Sequence, residues 1–159
     1  MDLERGLAPA VRALVVRPPP SVAVTAPDDA VFSAFQSRLS HEARVLVVRV
    51  IEDALSNALR HGSADHVVFS ARESGGILLV VVGNNVSAPP ATPAPSGLAR
   101  LRRRAQVLGG QLVLETLHGG RSRTGARLKL TLPLSEESAG DAAPSAGATA
   151  APRTPHPAP

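Results

Sequence analysis

Val45 to Gly62 reads VLVVRVIEDALSNALRHG. At about 100° per residue, Val47, Val48, Ile51, Ala54, Leu55, Ala58 and Leu59 share one broad face, with Arg49, Glu52, Ser56 and Arg60 opposite. The pattern predicts an amphipathic helix. Asp53, Asn57 and His61 stand at i, i+4 and i+8 along the seam between the faces, where they can line the rim of a cavity. A carboxylate, an amide oxygen and an imidazole placed there suit a hard cation and a polyphosphate better than a core. The spacing alone equally allows three solvated side chains at a helix border.

Upstream, Ser40 is a candidate N-cap for this helix, with Glu42 in its first turn. Leu3, Leu7, Ala10 or Val11, and Leu14 predict a first helix over residues 3–16, ended by the Pro18 to Pro20 run. Ser21 to Thr25 alternates as a short strand, and Asp28 and Asp29 lead into a short helix carrying Val31, Phe32 and Phe35. Downstream, HVVFSA (66–71) and ILLVVV (77–82) flank the turn signal Glu73-Ser74-Gly75-Gly76 and read as a hairpin. The proline-rich stretch Gly83 to Ser96 has no period and reads as a lid, a binding loop or a disordered segment, residues 83–97. Leu98, Leu101, Ala105 and Leu108 then restore a helical stripe, closed by Gly109-Gly110. Two more strands follow at residues 111–116 and 125–132, joined around Gly119-Gly120.

The composition of the 159 residues bounds the alternatives. One domain is expected, over residues 1–134, and the Ala/Pro-rich residues 135–159 read as a disordered tail. The chain is 43% hydrophobic but only 2% aromatic, so its interior must be aliphatic. A net charge of +4, carried almost entirely by arginine, fits phosphate-bearing ligands or acidic partners. Without cysteine there is neither a disulfide framework nor a thiolate metal site. The sequence shows no signal peptide and no apolar run of membrane-spanning length, so a soluble, cytoplasmic domain is expected. Aromatic stacking residues and a reading module are lacking, so nucleic acid is not an expected partner despite the Arg cluster at 100–104. On a helix with a buried leucine stripe, such arginines also read as a solvated face. The element order predicts an α/β (α+β) two-layer sandwich, helices on one face of a mixed, mainly antiparallel sheet.

EDALSNALRHG resembles the N box of the superfamily that unites sensor histidine kinases with DNA gyrase, MutL and the large heat-shock chaperones. It is most similar to the kinase helix that typically reads QEALTNALRHA. The C-terminal GARLKLTLPL (125–134) resembles the closing strand of that fold, usually GTRVRVTLPL. The resemblance implies ATP and Mg²⁺ as cofactors, with Asn57 as the metal ligand. Asp53 stands where the family has a Glu that orients water or acts as base. Asp is one methylene shorter, which puts its reach in question, and Glu52 points about 100° away. His61 would face the phosphates or simply end the helix near its dipole.

The family's Asp-x-Gly-x-Gly loop corresponds to Gly83-Asn84-Asn85-Val86, where the Asp is missing. Asn85, or its neighbour Asn84, could accept the adenine amino hydrogen through its side-chain oxygen, or both could form a strand-end turn. The Gly-rich stretch that cradles phosphate, GxGLxGLRER in the kinases, is matched by Ser96-Gly97-Leu98-Ala99-Arg100-Leu101-Arg102-Arg103-Arg104 with two glycines lost. Ser96, Gly97 and Leu98 would offer N–H groups at the helix start, and Arg100 would either crowd the site or add charge. The dipeptide His41-Glu42 resembles a phosphoacceptor motif, but it opens the helix of the nucleotide-binding unit.

The resemblance therefore implies the ATP-binding catalytic module of a two-component sensor kinase. Phosphoryl transfer would go to a protein histidine supplied by another chain or a missing segment, with a response regulator or kinase partner. A homodimer stays open. Two rivals remain: a degenerate, non-catalytic ATP-binding or protein-interaction module, and an anti-sigma-type serine kinase.

Overall fold

Ser40 opens the central helix, its Oγ accepting a hydrogen bond from the Ala43 N–H at 3.1 Å. In the computed structural model, which describes residues 3–19, 21–60, 64–85, 96–119 and 123–136, this helix runs His41–Arg60. The elements around it are α1 (Leu7–Val15), β1 (Ala23–Thr25), α2 (Asp29–Gln36), then α3 itself, β2 (His66–Ser74), β3 (Ile77–Asn84), α4 (Ser96–Val107), β4 (Gln111–Gly119) and β5 (Arg123–Pro133). Leu46 and Val50 of α3 are buried as well as the expected stripe, and Leu59 is only half-buried. The buried arc is wider than the sequence implies because α3 is packed on three sides, by α1, by α4 and by β3 and β5.

The five strands form one sheet in the order β1-β2-β3-β5-β4, antiparallel except for the β1–β2 pair. Side chains alternate across it. Val67 and Phe69, Leu78, Val80 and Val82, Leu112, and Leu128, Leu130 and Leu132 are buried in the same core as the helices. This is the expected two-layer sandwich on a mixed, mainly antiparallel sheet. All three phenylalanines, Phe32, Phe35 and Phe69, lie in that core, and the rest of it is aliphatic. Each fully buried Leu, Ile or Phe contributes roughly 1.5–3 kcal/mol.

Two connections are set by glycine. Gly75 and Gly76, at φ 57° and 75°, make the two-residue turn that pairs Ser74 with Ile77. Gly109, at φ 76°, ends α4: its N–H donates to the Gln106 carbonyl and that of Gly110 to the Ala105 carbonyl, at 3.0 and 2.8 Å.

Two elements differ from the sequence reading. The single helix over 3–16 is broken into a short 3₁₀ turn, Leu3–Arg5, and α1. Gly6 lies at φ 107°, and Gln36 Oε1 accepts the Leu7 N–H at 2.9 Å, so a distant side chain caps α1 where the heptad spacing gives no sign of a stop. The strand over 21–25 shortens to β1 because the Val22 N–H is taken by the Pro19 carbonyl at 2.9 Å. Of the remaining expectations, His61, most of the lid (residues 86–95) and most of the tail (137–159) lie outside the described residues. The described ends of the lid are regular, Gly83 and Asn84 in β3 and Ser96 and Gly97 in α4.

Arg38 locks the joint between α2 and α3 onto the sheet. Its guanidinium donates to both Glu73 carboxylate oxygens at 2.7 and 3.0 Å and to the Ser135 carbonyl at 3.0 Å, while the Ser135 N–H donates back to the Arg38 carbonyl at 3.1 Å. The hydrogen bond from Arg38, reinforced by its charge, holds the Glu73 carboxyl below its ordinary value.

Candidate functional site

The C-terminal half of α3 brings a carboxylate and an amide together because i and i+4 are neighbours on a helix. Asn57 Nδ2 donates to Asp53 Oδ2 at 3.1 Å. That bond orients the amide, placing Asn57 Oδ1 on the side away from the carboxylate. Both residues are half-buried, as the seam position implies.

Across from them begins α4. A Cβ built on Gly97 would lie 3.7 Å from Asp53 Oδ1, so the first turn of α4 stands directly beside the Asp53 carboxylate. A helix start leaves its first N–H groups without intrahelical acceptors and carries partial positive charge. A carboxylate, an amide oxygen and a glycine-bearing helix start thus meet from segments far apart in sequence. The buried Leu98 and Leu101 side chains seat α4 in this position, so Leu98 can serve the site through its backbone only. Ser96 is the first residue of α4.

Glu52 lies elsewhere. Its carboxylate faces Arg17 at 3.5 Å and Arg49 at 3.1 Å, so it is engaged away from Asp53. Asn84 is the last residue of β3, in register with Val67 and Ala126. Asn85 follows it and is committed at both ends of its amide: Oδ1 accepts the His66 N–H at 3.3 Å and Nδ2 donates to the Asp65 carboxylate. Asn85 therefore fastens the strand end, a contact that takes one of the two lone pairs of its side-chain oxygen. Asp65, which the sequence reading did not single out, is the carboxylate at this end of the sheet. Its carbonyl also accepts the Ala23 N–H at 2.8 Å, joining β1 to the start of β2. The only signal in the sequence was an acidic residue just before a strand.

Arg100 is exposed. With Arg103, Arg104, Val107 and Leu108 it forms one wall of a groove of about 420 Å³ whose other wall is His41, Glu42 and Val45. Because Gly97 lies by Asp53 and Leu108 by Val45, α4 runs antiparallel to α3. The His41-Glu42 pair accordingly sits in the first turn of a helix packed inside the domain. Among the described residues, no group of three His, Cys, Asp or Glu could hold a metal ion. No described helix is long and apolar enough to cross a membrane.

No family model matches the sequence. The chain is 30% identical over 88 residues to the signal transduction histidine-protein kinase/phosphatase UhpB of Salmonella typhimurium. That match takes in 54% of this chain and 18% of UhpB, so the chain spans less than a fifth of that relative. Among solved structures, it superposes on the ATP binding domain of PrrB from Mycobacterium tuberculosis with a TM-score of 0.56 and 24% identity, over 82% of this chain and 92% of that one. The catalytic domain of histidine kinase ThkA gives a TM-score of 0.58 at 15% identity, over 86% and 96% of the two chains. The mycobacterial sensor histidine kinase MprB gives 0.56 at 13% identity, over 86% and 97%.

Proposed function

We propose that this chain, which has the fold of the histidine-kinase ATP-binding domains, is the ATP-binding catalytic module of a two-component sensor kinase. It passes the γ-phosphoryl of Mg-ATP to a histidine supplied by another chain or another segment, and a response regulator receives it next. ATP is a cytoplasmic substrate, and the reading places the domain there. The observation that carries the reading is the approach of Asp53 Oδ1 to the Gly97 position, 3.7 Å, which sets the α3 polar pair against the start of α4. The identity to UhpB supports the same activity class.

The residues present fit the cofactor. Mg²⁺ takes oxygen ligands, keeps several waters and is commonly held by one or two protein groups plus substrate phosphates. Asn57 Oδ1, turned away from Asp53, is the protein group that would hold it. When bound, Mg²⁺ draws charge from the phosphate oxygens and fixes their geometry. The free N–H groups of Ser96, Gly97 and Leu98 at the start of α4 would bind phosphate oxygen, and Gly97 leaves room for its approach. Asp53 has one oxygen occupied by Asn57, so Oδ1 is the atom that would orient the attacking group or take its proton. Adenine recognition falls to Asn84, to the second lone pair of the Asn85 oxygen or to the Asp65 carboxylate.

Titration of labelled ATP into wild type and Asn57→Ala, each with and without Mg²⁺, tests the reading. Mg-dependent binding is expected in the wild type alone, with the variant weakened about tenfold or more. No wild-type binding at millimolar ATP would reject the reading, and binding without transfer to any histidine-bearing partner would leave a binding module in place of an enzyme.

A further inference from the structure

On the side of the domain away from Asp53, α1, α2 and the first turn of α3 enclose an open groove of about 570 Å³ lined by Arg5, Pro9, Ser33, Gln36, Ser37, Leu39 and Arg44. We infer that this groove binds a phosphate group, through the Arg44 guanidinium and the Ser33, Ser37 and Gln36 side chains. None of these residues takes part in the ATP site.

Four observations converge. Arg44 Nε is shielded from solvent and has no hydrogen-bond partner. Among the described residues, Arg44 also makes no ion pair, whereas Arg12, Arg17, Arg38 and Arg49 are all paired with carboxylates. No group among the described residues satisfies this guanidinium, whose half-buried side chain lines the groove, so its charge is left for an acceptor held in the groove. Second, the described lining contains no acidic side chain, so nothing within the groove competes for that acceptor.

Third, the polar lining presents donors. Gln36 spends its oxygen on the Leu7 N–H at 2.9 Å, leaving the amide nitrogen as its remaining hydrogen-bonding end. Ser33 and Ser37 are exposed, with hydroxyls that can donate. Fourth, Arg44 sits in the first turn of α3, where the helix dipole adds positive potential. A phosphate monoester or inorganic phosphate supplies what this set asks for: several acceptor oxygens, close to two negative charges near neutral pH and a geometry that matches the guanidinium fork. The groove is wider than one ion, so a phosphate carried on a larger group also fits.

The test uses the whole chain and two probes, inorganic phosphate and phosphoserine, titrated to about 20 mM at constant ionic strength with chloride as control. Nitrogen-15 NMR reads the Arg44 Nε–H and the amides of Ser33, Gln36 and Ser37. A saturable shift of these groups is expected, separate from any at Gly97 and Leu98, weakened about tenfold or more in Arg44→Gln and in part in Ser37→Ala. Tighter phosphoserine identifies a phosphorylated side chain as the source, and tighter inorganic phosphate identifies the free ion. Chloride producing the same shifts, no saturation, or wild-type saturation in a folded Arg44→Gln or Ser37→Ala would overturn the assignment. Because the readout needs no ATP, its failure is separable from failure of the kinase reading.

Discussion

Replacing Gly97 by Ala is expected to stabilise the fold and weaken ATP binding at once. The added methyl would lie 3.7 Å from Asp53 Oδ1, an ordinary van der Waals contact, so it brings no steric strain. Gly97 is a helical residue in the first turn of α4, where exchanging glycine for alanine gains about 0.5 kcal/mol, somewhat below the interior value. For a domain of this size that is about 2 °C in Tm. The same methyl fills the space between the carboxylate and the helix start, where a phosphate oxygen would approach the backbone N–H groups. Losing one charge-assisted hydrogen bond removes about 1.5–3 kcal/mol, or roughly ten- to a hundredfold in affinity. Thermal unfolding without nucleotide and a Mg-ATP titration of the same preparation give the two numbers. A higher Tm with unchanged or tighter ATP binding would refute the placement of phosphate beside Gly97.

Three further outcomes follow from the same geometry. Asp53→Glu should raise phosphoryl transfer if the missing methylene limits reach, and a flat rate in a partner-phosphorylation assay would show that position 53 is not catalytic. Gly110→Ala should lower stability by about 3 kcal/mol or more, because its Cβ would run into the Thr131 carbonyl and lie 2.9 Å from Leu132 Cδ2. A wild-type denaturation midpoint would contradict the β4–β5 register. The Glu73 carboxyl, held below its ordinary value of 4.5 by Arg38, contributes stability that is fully present above that value and is lost as pH falls through the lowered one. An NMR titration of Glu73 should show its midpoint below 4.5, moving upward in Arg38→Gln.

The sheet and its covering helices were legible because alternation and the 3.6-residue stripe are local signals: Val67 and Phe69, or Leu98, Leu101 and Ala105, face the core as their spacing requires. The Ser40 cap and the Gly75-Gly76 turn were equally legible, since the residue types that make them are few. The break at Gly6 was not, because it depends on Gln36 arriving from α2. At the site, Asp53 and Asn57 could be paired from helix geometry alone, but their meeting with Gly97 depends on how α4 packs against α3. Asn85 reads from the sequence as a ligand group or a turn former, and its bonds to Asp65 and His66, which fasten the strand end, come from a pairing no local pattern encodes.

The claim that a nucleotide lies between α3 and α4 is tested most directly by Mn²⁺ in place of Mg²⁺ with ATP, read by paramagnetic broadening in the NMR spectrum. The signals of the Asn57 side chain and the Asp53, Gly97 and Leu98 amides should broaden first, and only when ATP is present. Broadening centred elsewhere, or none at these four residues with ATP and Mn²⁺ both added, would contradict it.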